Sequence, residues 1–377
     1  MTHVKQFFHM NGGDGETSYA KNSGPPKVVI SKSWPLIDEA LKNMFAEYNN
    51  KIVFPKCMRM ADLGCASGPN TFFLISHVMD TIEDLLSKDL EKTHHLPQLQ
   101  LFLNDLPDND FNQVFRLASS FKEDRKEGNN KLNFFIYGVP ASFYDALFPK
   151  NTLHFAYSSF SVHWLSQVPE GLGTNNKENI CISINSSPQV WEAYASQFQK
   201  DFSKFLRMRA EEFISGGRMV LAFVGRTSAN PCCEDEFKLL TLLGEALSEM
   251  AAQGLVKEED LHSFNVPIYA PCLREVETII SGEGSFSLDK MEIVRVPYDA
   301  TYDEGNNNDG VFDNYKSAKV VAGNVRSFME PKLAFHFGTS INVGDVFKIY
   351  ANKMADQFSE ERTNYTVILV SLTRKSA

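Results

Sequence analysis

Met58-Arg-Met-Ala-Asp-Leu-Gly-Cys-Ala-Ser-Gly-Pro-Asn70 is the stretch that decides the fold class. An apolar run ends in Asp62, a Gly64-x-x-x-Gly68 turn follows, and an apolar helical pattern starts near Thr71. Strand, glycine turn and helix in that order build a nucleotide site at the strand ends of an open α/β sheet. Glycine lets the backbone approach a ligand closely, and a helix start offers unpaired N–H groups. No Gly-Lys-Ser/Thr follows the turn, which argues against a phosphate-cradling P-loop. The turn is also not G-x-G-x-x-G, which weakens a dinucleotide reading. A strand-end Asp beside such a turn suits a ligand with a ribose and an adenine but no phosphate, as S-adenosylmethionine is.

Outward from this turn, strand patterns recur at Arg59–Leu63, Leu99–Leu103, Asn133–Val139, Leu153–Ser159, Met219–Val224 and Tyr365–Leu372. Helical patterns separate them at Trp34–Tyr48, Thr71–Ser87 and Val190–Ile214, the last closed by Gly216-Gly217. That alternation predicts a mostly parallel sheet covered on both faces. From Thr227 to Gly284 the pattern turns helical, through Leu239–Ala252 and Leu273–Ile280, and further helices are expected over Lys316–Ala334 and Val343–Gln357. These late helices read as a cap over the strand ends, and Asp303–Gly310 reads as a mobile loop. The expected division is a Rossmann-like cofactor-binding core with an N-terminal lid over 1–226 and a mostly helical acceptor-binding cap over 227–362. One or two strands return to the core near 286–297, and 363–377 forms a final core strand.

At 377 residues the chain exceeds one typical domain, in keeping with a core plus cap. A net charge of −10 argues against broad nucleic-acid or anionic-membrane binding. The six cysteines contain no paired C-x-x-C, so neither a zinc site nor a disulfide framework is indicated. No apolar run approaches the roughly 18 residues that span a bilayer. No signal peptide is read at the N-terminus, where Lys5, His9 and Asp14 interrupt any apolar core. A cytoplasmic protein is expected.

Three further strand ends carry polar or aromatic groups. Leu101-Phe-Leu-Asn-Asp105-Leu106 places a second acid at a strand end, the usual partner of ribose hydroxyls, although Asn-Asp-Leu-Pro also simply makes a turn. Ser142-Phe143-Tyr144 offers aromatics that could sandwich an adenine or serve as ordinary core. In Phe160-Ser-Val-His163-Trp164, adjacent imidazole and indole groups either orient a polar acceptor or pack. No Gly-x-Ser-x-Gly elbow, His-Glu-x-x-His or nucleophile paired with a base is found. Transfer of a methyl group from a sulfonium to a carboxylate needs none, because the acid is already ionised at neutral pH.

The chain resembles the plant SABATH methyltransferases, which methylate small carboxylic acids or ring nitrogens with S-adenosylmethionine. The matching tracts are Met10–Ser23, Asp62–Asn70, Asn104–Asn112, Ser142–Tyr144, His163–Pro169, Gly216–Leu221, Ser263–Pro267, Glu330-Pro331 and His336–Gly338. Within the family, His154–Ser159 and Pro267–Glu277 are most similar to the benzoate and salicylate carboxyl methyltransferases. The resemblance implies a Rossmann-like S-adenosylmethionine-dependent methyltransferase sheet with a helical cap, and a homodimer. It puts the cofactor on Tyr19, Ser23, Asp62, Cys65, Asn70, Asp105, Leu106, Ser142 and Phe143. It puts the acceptor on Phe160, His163, Trp164, Leu239, Leu240, Tyr269, Val325 and Phe328, with Trp164 holding the carboxylate. No residue is assigned a covalent or acid–base role; Trp164 and His163 orient the acceptor.

Four departures from the family pattern shape the expectations. Pro26 stands where the carboxyl enzymes usually place Gln, so one carboxylate donor is lost and His163 is the candidate replacement. Leu240 replaces a pocket-wall tryptophan of salicylate-specific members, suggesting a differently shaped or roomier cavity. Ala141 stands where Gly is usual, a mild change if its φ is negative. The resemblance implies magnesium on Asn176, Phe264 and Asn265, but His262 replaces the family's Asp, and imidazole is a poor ligand for a hard cation. Three readings follow: O-methylation of a small aromatic acid, N-methylation of a xanthine-like heterocycle, or a binding protein that kept the cofactor fold without turnover.

Overall fold

In the computed structural model, which describes residues 9–51, 55–88, 96–128, 131–172, 176–177, 179–230, 237–300 and 313–376, the strand-ending Asp62 lies at the centre of a seven-stranded sheet. The strands are β1 (Cys57–Leu63), β2 (Gln98–Asp105), β3 (Phe134–Pro140), β4 (Leu153–Ser159), β5 (Phe213–Val224), β6 (Phe286–Pro297) and β7 (Asn364–Arg374). Their order is β3-β2-β1-β4-β5-β7-β6, with β7 antiparallel to both its neighbours. The order reverses between β1 and β4, and the crevice outside the strand ends at that point is where open α/β sheets bind ligands. The central strands are apolar on both faces, as burial between two helical layers requires: Val367–Val370 and Met219–Phe223 are fully buried.

The helices are α1 (Tyr19–Asn22), α2 (Gly24–Lys51), α3 (Asn70–Lys88), α4 (Phe111–Glu127), α5 (Pro188–Glu212), α6 (Lys238–Ala252), α7 (Glu258–Ser263), α8 (Leu273–Glu283), α9 (Asn314–Phe337) and α10 (Val343–Glu360). Right-handed crossovers place α3 and α4, which step outward from β1 to β3, on one face, and α5, which steps the other way, on the opposite face. Helices α6, α9 and α10 pack on one another as a cap, while α8 and β6 return to the sheet. No helix among the described residues is long and apolar enough to cross a membrane.

Three sequence expectations are corrected. Helix α5 stops at Glu212, and Gly216-Gly217 lies inside β5 rather than closing a helix. Gly216 has φ +80° and the pairing with β4 is irregular there, so the glycines form a bulge in a strand. Helix α2 begins ten residues before Trp34, because Pro25 and Pro26 occupy its first turn, where no backbone donor is needed. Helix α4 was not expected at all: it is rich in charge and fully buries only Val114 and Ala118, too thin an apolar stripe to read. The Asp303–Gly310 loop lies outside the described residues.

The N-terminal segment is tied to the cap by a proline. Pro331 inside α9 has no N–H, so the Ser327 carbonyl loses its helical donor and accepts instead from the Asn11 N–H at 2.8 Å. The Asn11 amide also donates to Glu330, and Asn324 of α9 donates to the Asn22 carbonyl at 2.7 Å. The segment between β3 and β4 is fastened from below by a buried ion pair. Arg209 and Glu212 of α5 pair at 2.8 Å through two hydrogen bonds. The guanidinium also donates to the carbonyls of Phe143 and Asp145, while Glu212 accepts from the amides of Leu147 and Phe148. Removing one partner of such a pair leaves an uncompensated buried charge. Arg209→Met is therefore expected to lower the unfolding free energy by about 3–5 kcal/mol, read from denaturant melts.

Candidate active site

The site grows from the Gly64 turn. Gly64 has φ +86°, and a Cβ there would lie 2.1 Å from Ser161 Oγ, so only glycine lets the ends of β1 and β4 come this close. The Gly64 and Cys65 amides donate to the Asn104 carbonyl, joining β1 to β2. The Asn104 amide donates to the carbonyls of Val139 and Ala141, joining β2 to β3. Ala141 is not among the residues with positive φ, so its methyl group is tolerated. Asp105 accepts from the Ala66 and Leu106 amides, both at 2.7 Å. Burial nevertheless raises Asp105 to about 6 and Asp62 to about 7, since taking a carboxylate out of water favours its neutral form.

Above these strand ends lies a cavity of about 520 Å3. Tyr19, Asp105, Leu106, Ser142 and Phe143 line it, five of the nine expected cofactor residues. Ser23, Asp62, Cys65 and Asn70 are gathered beside it without lining it. Asn70 donates to both Ser23 oxygens, and the backbone of Ala20 lies 3.2 Å from where a Gly68 Cβ would be, so α1 rests directly on the glycine turn. Among the described residues the lining includes the carboxylates of Asp105, Glu170 and Asp201 and the ammonium of Lys204, which pairs with Asp145 at 2.8 Å. A lining with this excess of carboxylates suits a cationic ligand that carries ribose hydroxyls. The donor set therefore fits S-adenosylmethionine.

A second, smaller chamber of about 60 Å3 adjoins the first, and Met10, Tyr19, Phe160 and Trp164 wall both. Phe160, His163, Trp164, Leu239, Leu240 and Phe328 line it as expected. Tyr269 and Val325 do not. Val325 is fully buried in the core, and Tyr269 turns its hydroxyl to Glu275 while its amide donates to the His163 carbonyl, supporting that turn from behind. Pro26 does line the chamber, so the lost donor is lost at the acceptor. Phe237, Tyr365 and Phe328 line it beside Leu240. The chamber shares Met10, Tyr19, Phe160 and Trp164 with the larger cavity, so the two form neighbouring compartments of one site. Phe237, Asn324 and Tyr365 escaped the sequence reading because nothing in their local pattern marks a chamber wall.

His163 is buried, and its Nδ1 accepts from the Val224 amide at 3.3 Å, which leaves the ring proton on Nε2. Burial pulls the imidazole down to about 3, so it stays neutral at physiological pH. Trp164 is held through its backbone: its amide donates to Ser161, its carbonyl accepts from the Tyr144 hydroxyl at 2.6 Å, and the next amide, of Leu165, donates to Pro267. Phe160, between the two cavities, has φ +54°, a strained value for a bulky residue.

The expected magnesium residues do meet, but not as a cation site. The Asn176 amide donates to Asn265 Oδ1 at 2.8 Å and to backbone carbonyls, and His262 is exposed to solvent. No cluster of three or more His, Cys, Asp or Glu suited to a metal occurs among the described residues. Amides that satisfy one another, without a carboxylate, do not fit a hard divalent ion.

Comparison with known proteins agrees with this geometry. Residues 5–375 match the family model described as SAM dependent carboxyl methyltransferase. The chain is 42% identical to salicylate carboxymethyltransferase of Clarkia breweri, over 99% of each chain. It is 40% identical to a probable jasmonic acid carboxyl methyltransferase of Theobroma cacao over 99% of each, and 38% identical to a probable caffeine synthase of Coffea canephora over 99% of this chain and 98% of the other. Among solved structures it resembles loganic acid methyltransferase with SAH, at 33% identity and a TM-score of 0.81, covering 97% of this chain and 99% of that one. The chain belongs to the S-adenosylmethionine-dependent carboxyl methyltransferase family, the SABATH enzymes, and is a methyltransferase.

Gly64→Ala is expected to cost about 1–3 kcal/mol in backbone strain alone and to displace Ser161. Calorimetry with S-adenosylhomocysteine should show binding weakened at least about tenfold in a protein whose circular dichroism is unchanged.

Proposed function

We propose that the protein methylates the carboxylate of a small aromatic acid, of the benzoate or salicylate kind, to give its methyl ester. The observation that carries this reading is the chamber's chemistry: its imidazole, His163, commits its Nδ1 lone pair to the Val224 amide and keeps its proton on Nε2, so it offers a donor rather than a base. A carboxylate arrives without a proton to lose, whereas a xanthine N–H must be deprotonated. S-adenosylmethionine held at Tyr19, Asp105, Leu106, Ser142 and Phe143 would supply an electrophilic methyl group to the acceptor oxygen, with the electrons of the C–S bond returning to sulfur.

The residues then act by placement. Asp105, fixed by two backbone amides, accepts the ribose hydroxyls, and Ser142 and Phe143 border the adenine. The His163 Nε2–H and the Trp164 indole N–H hold the carboxylate in place of the donor missing at Pro26. Phe160 and Phe328 exclude water from the acceptor, which strengthens its attraction to the positive donor. Aligned reactants gain effective molarities of about 10⁵–10⁸ M, so orientation is enough to drive the step. The salicylate and jasmonate relatives support an acid acceptor. N-methylation of a heterocycle is the second reading, favoured by Pro26 in the chamber wall and by the relative named as a probable caffeine synthase.

Turnover of labelled cofactor on a panel of benzoate, salicylate, jasmonate and methylxanthines tests the choice. Base-labile label on acids is expected, and base-stable label on ring nitrogens alone would sink the acid reading. Trp164→Ala should weaken acid use far more than cofactor binding; equal losses would contradict its role. Donation by ribose hydroxyls favours the ionised form of Asp105, whose burial raises it to about 6. Affinity for S-adenosylhomocysteine should therefore hold above that pH and fall as pH drops through about 6, and Asp105→Asn should flatten the profile.

A further inference from the structure

Lys332 is an unexpected residue for its position. It lies one turn beyond Phe328 on α9, and only 6% of it is exposed. Burying an ammonium is costly, and a hydrophobic side chain would fill such a position at no electrostatic cost. Its Nζ donates to the Phe328 carbonyl at 2.7 Å and lies 4.8 Å from the centroid of the Trp164 ring. Trp164 walls both cavities, and Phe328 meets it edge-on at 6.1 Å. The cation thus rests on the indole assigned to the acceptor's carboxylate, and Lys332 itself is not among the residues lining either cavity. A cation on an aromatic face attracts π density toward itself and leaves the N–H edge more positive.

We propose that Lys332 is a positioning residue that makes the acceptor chamber selective for anions, acting through the Trp164 indole. This rests on the carboxyl reading above and deepens it by naming the source of charge discrimination. Two effects combine: the ammonium locks the indole plane, and its field favours a negative acceptor over a neutral one of the same shape. Burial pulls Lys332 down to about 7, and an arriving carboxylate favours its charged form, so the ammonium and the acid acceptor are stabilised together. The sign of the kinetic effect follows from the chemistry. The acceptor's negative charge fades as the methyl group is transferred, so a nearby cation holds the bound acid more than it holds the transition state. Removing the cation should loosen binding without slowing the chemical step.

The test uses Lys332→Met, which keeps the length of the side chain and removes its charge. With the acid best used in the panel, KM should rise about tenfold while kcat does not fall, and S-adenosylhomocysteine affinity should be unchanged. The carboxamide of that acid, as a neutral competitive inhibitor, should bind wild type and variant alike. An unchanged KM, or a kcat that falls in step with kcat/KM, overturns the proposal, as does equal weakening of acid and carboxamide, which would mean packing alone. A wild-type enzyme that methylates only neutral heterocycles defeats the carboxyl reading and this one together. Acid turnover with an unaltered KM in Lys332→Met defeats this one alone.

Discussion

The closeness of the Gly64 backbone to Ser161 is the constraint on which the site depends. With no side chain between them, the ends of β1 and β4 meet at the point where strand order reverses. The neighbouring amides of Gly64 and Cys65 then reach Asn104 on β2, and the Asn104 side chain reaches the chain leaving β3. Four strand ends are stitched into one floor by main-chain donors and a single amide. Everything above that floor, the acidic cavity and the smaller chamber beside it, inherits its geometry.

The chain can leave this floor open because β3 returns to β4 with no helix in the described part of the connection. Such a segment would be loose by itself. Here Arg209 and Glu212 satisfy four of its backbone groups from the end of α5, beneath the sheet's ligand side. Rigidity at the rim of the cavity is thus supplied by the end of the same helix that lends Asp201 and Lys204 to the cavity wall. The cost of burying that ion pair is offset by the hydrogen bonds each partner makes to the loop.

Much of the sheet and the cofactor side was legible in the sequence because their signals are local. Apolar runs ending in Asp62 and Asp105, with glycines at a fixed offset, describe strands, a turn and an acid with no need of distant partners. In the smaller chamber the residue pattern alone was legible only at a strand end, as with Phe160, His163 and Trp164, while Leu239, Leu240 and Phe328 were expected only through the family resemblance. Asn324, Tyr365 and Phe237 come from a cap helix, the last strand and a helix start far apart in the chain, and only packing brings them to one wall. Tyr269 and Val325 illustrate the opposite error: positions that align with a pocket wall can sit one layer behind it. The end of α5 was misread because two glycines near an apolar run suit a helix stop and a strand bulge equally well, and Gly216 chose the bulge.

The backbone from His163 to Leu165 is pinned on all sides, by Ser161, Tyr144, Pro267 and the amide of Tyr269, whereas the facing wall is made of side chains from α6 and α9. One half of the chamber is an anvil and the other a replaceable mould. Exchanges such as leucine for tryptophan at Leu240 remodel the mould without moving the anvil. A wall of that kind can be recut by single exchanges while the pinned backbone opposite keeps its place.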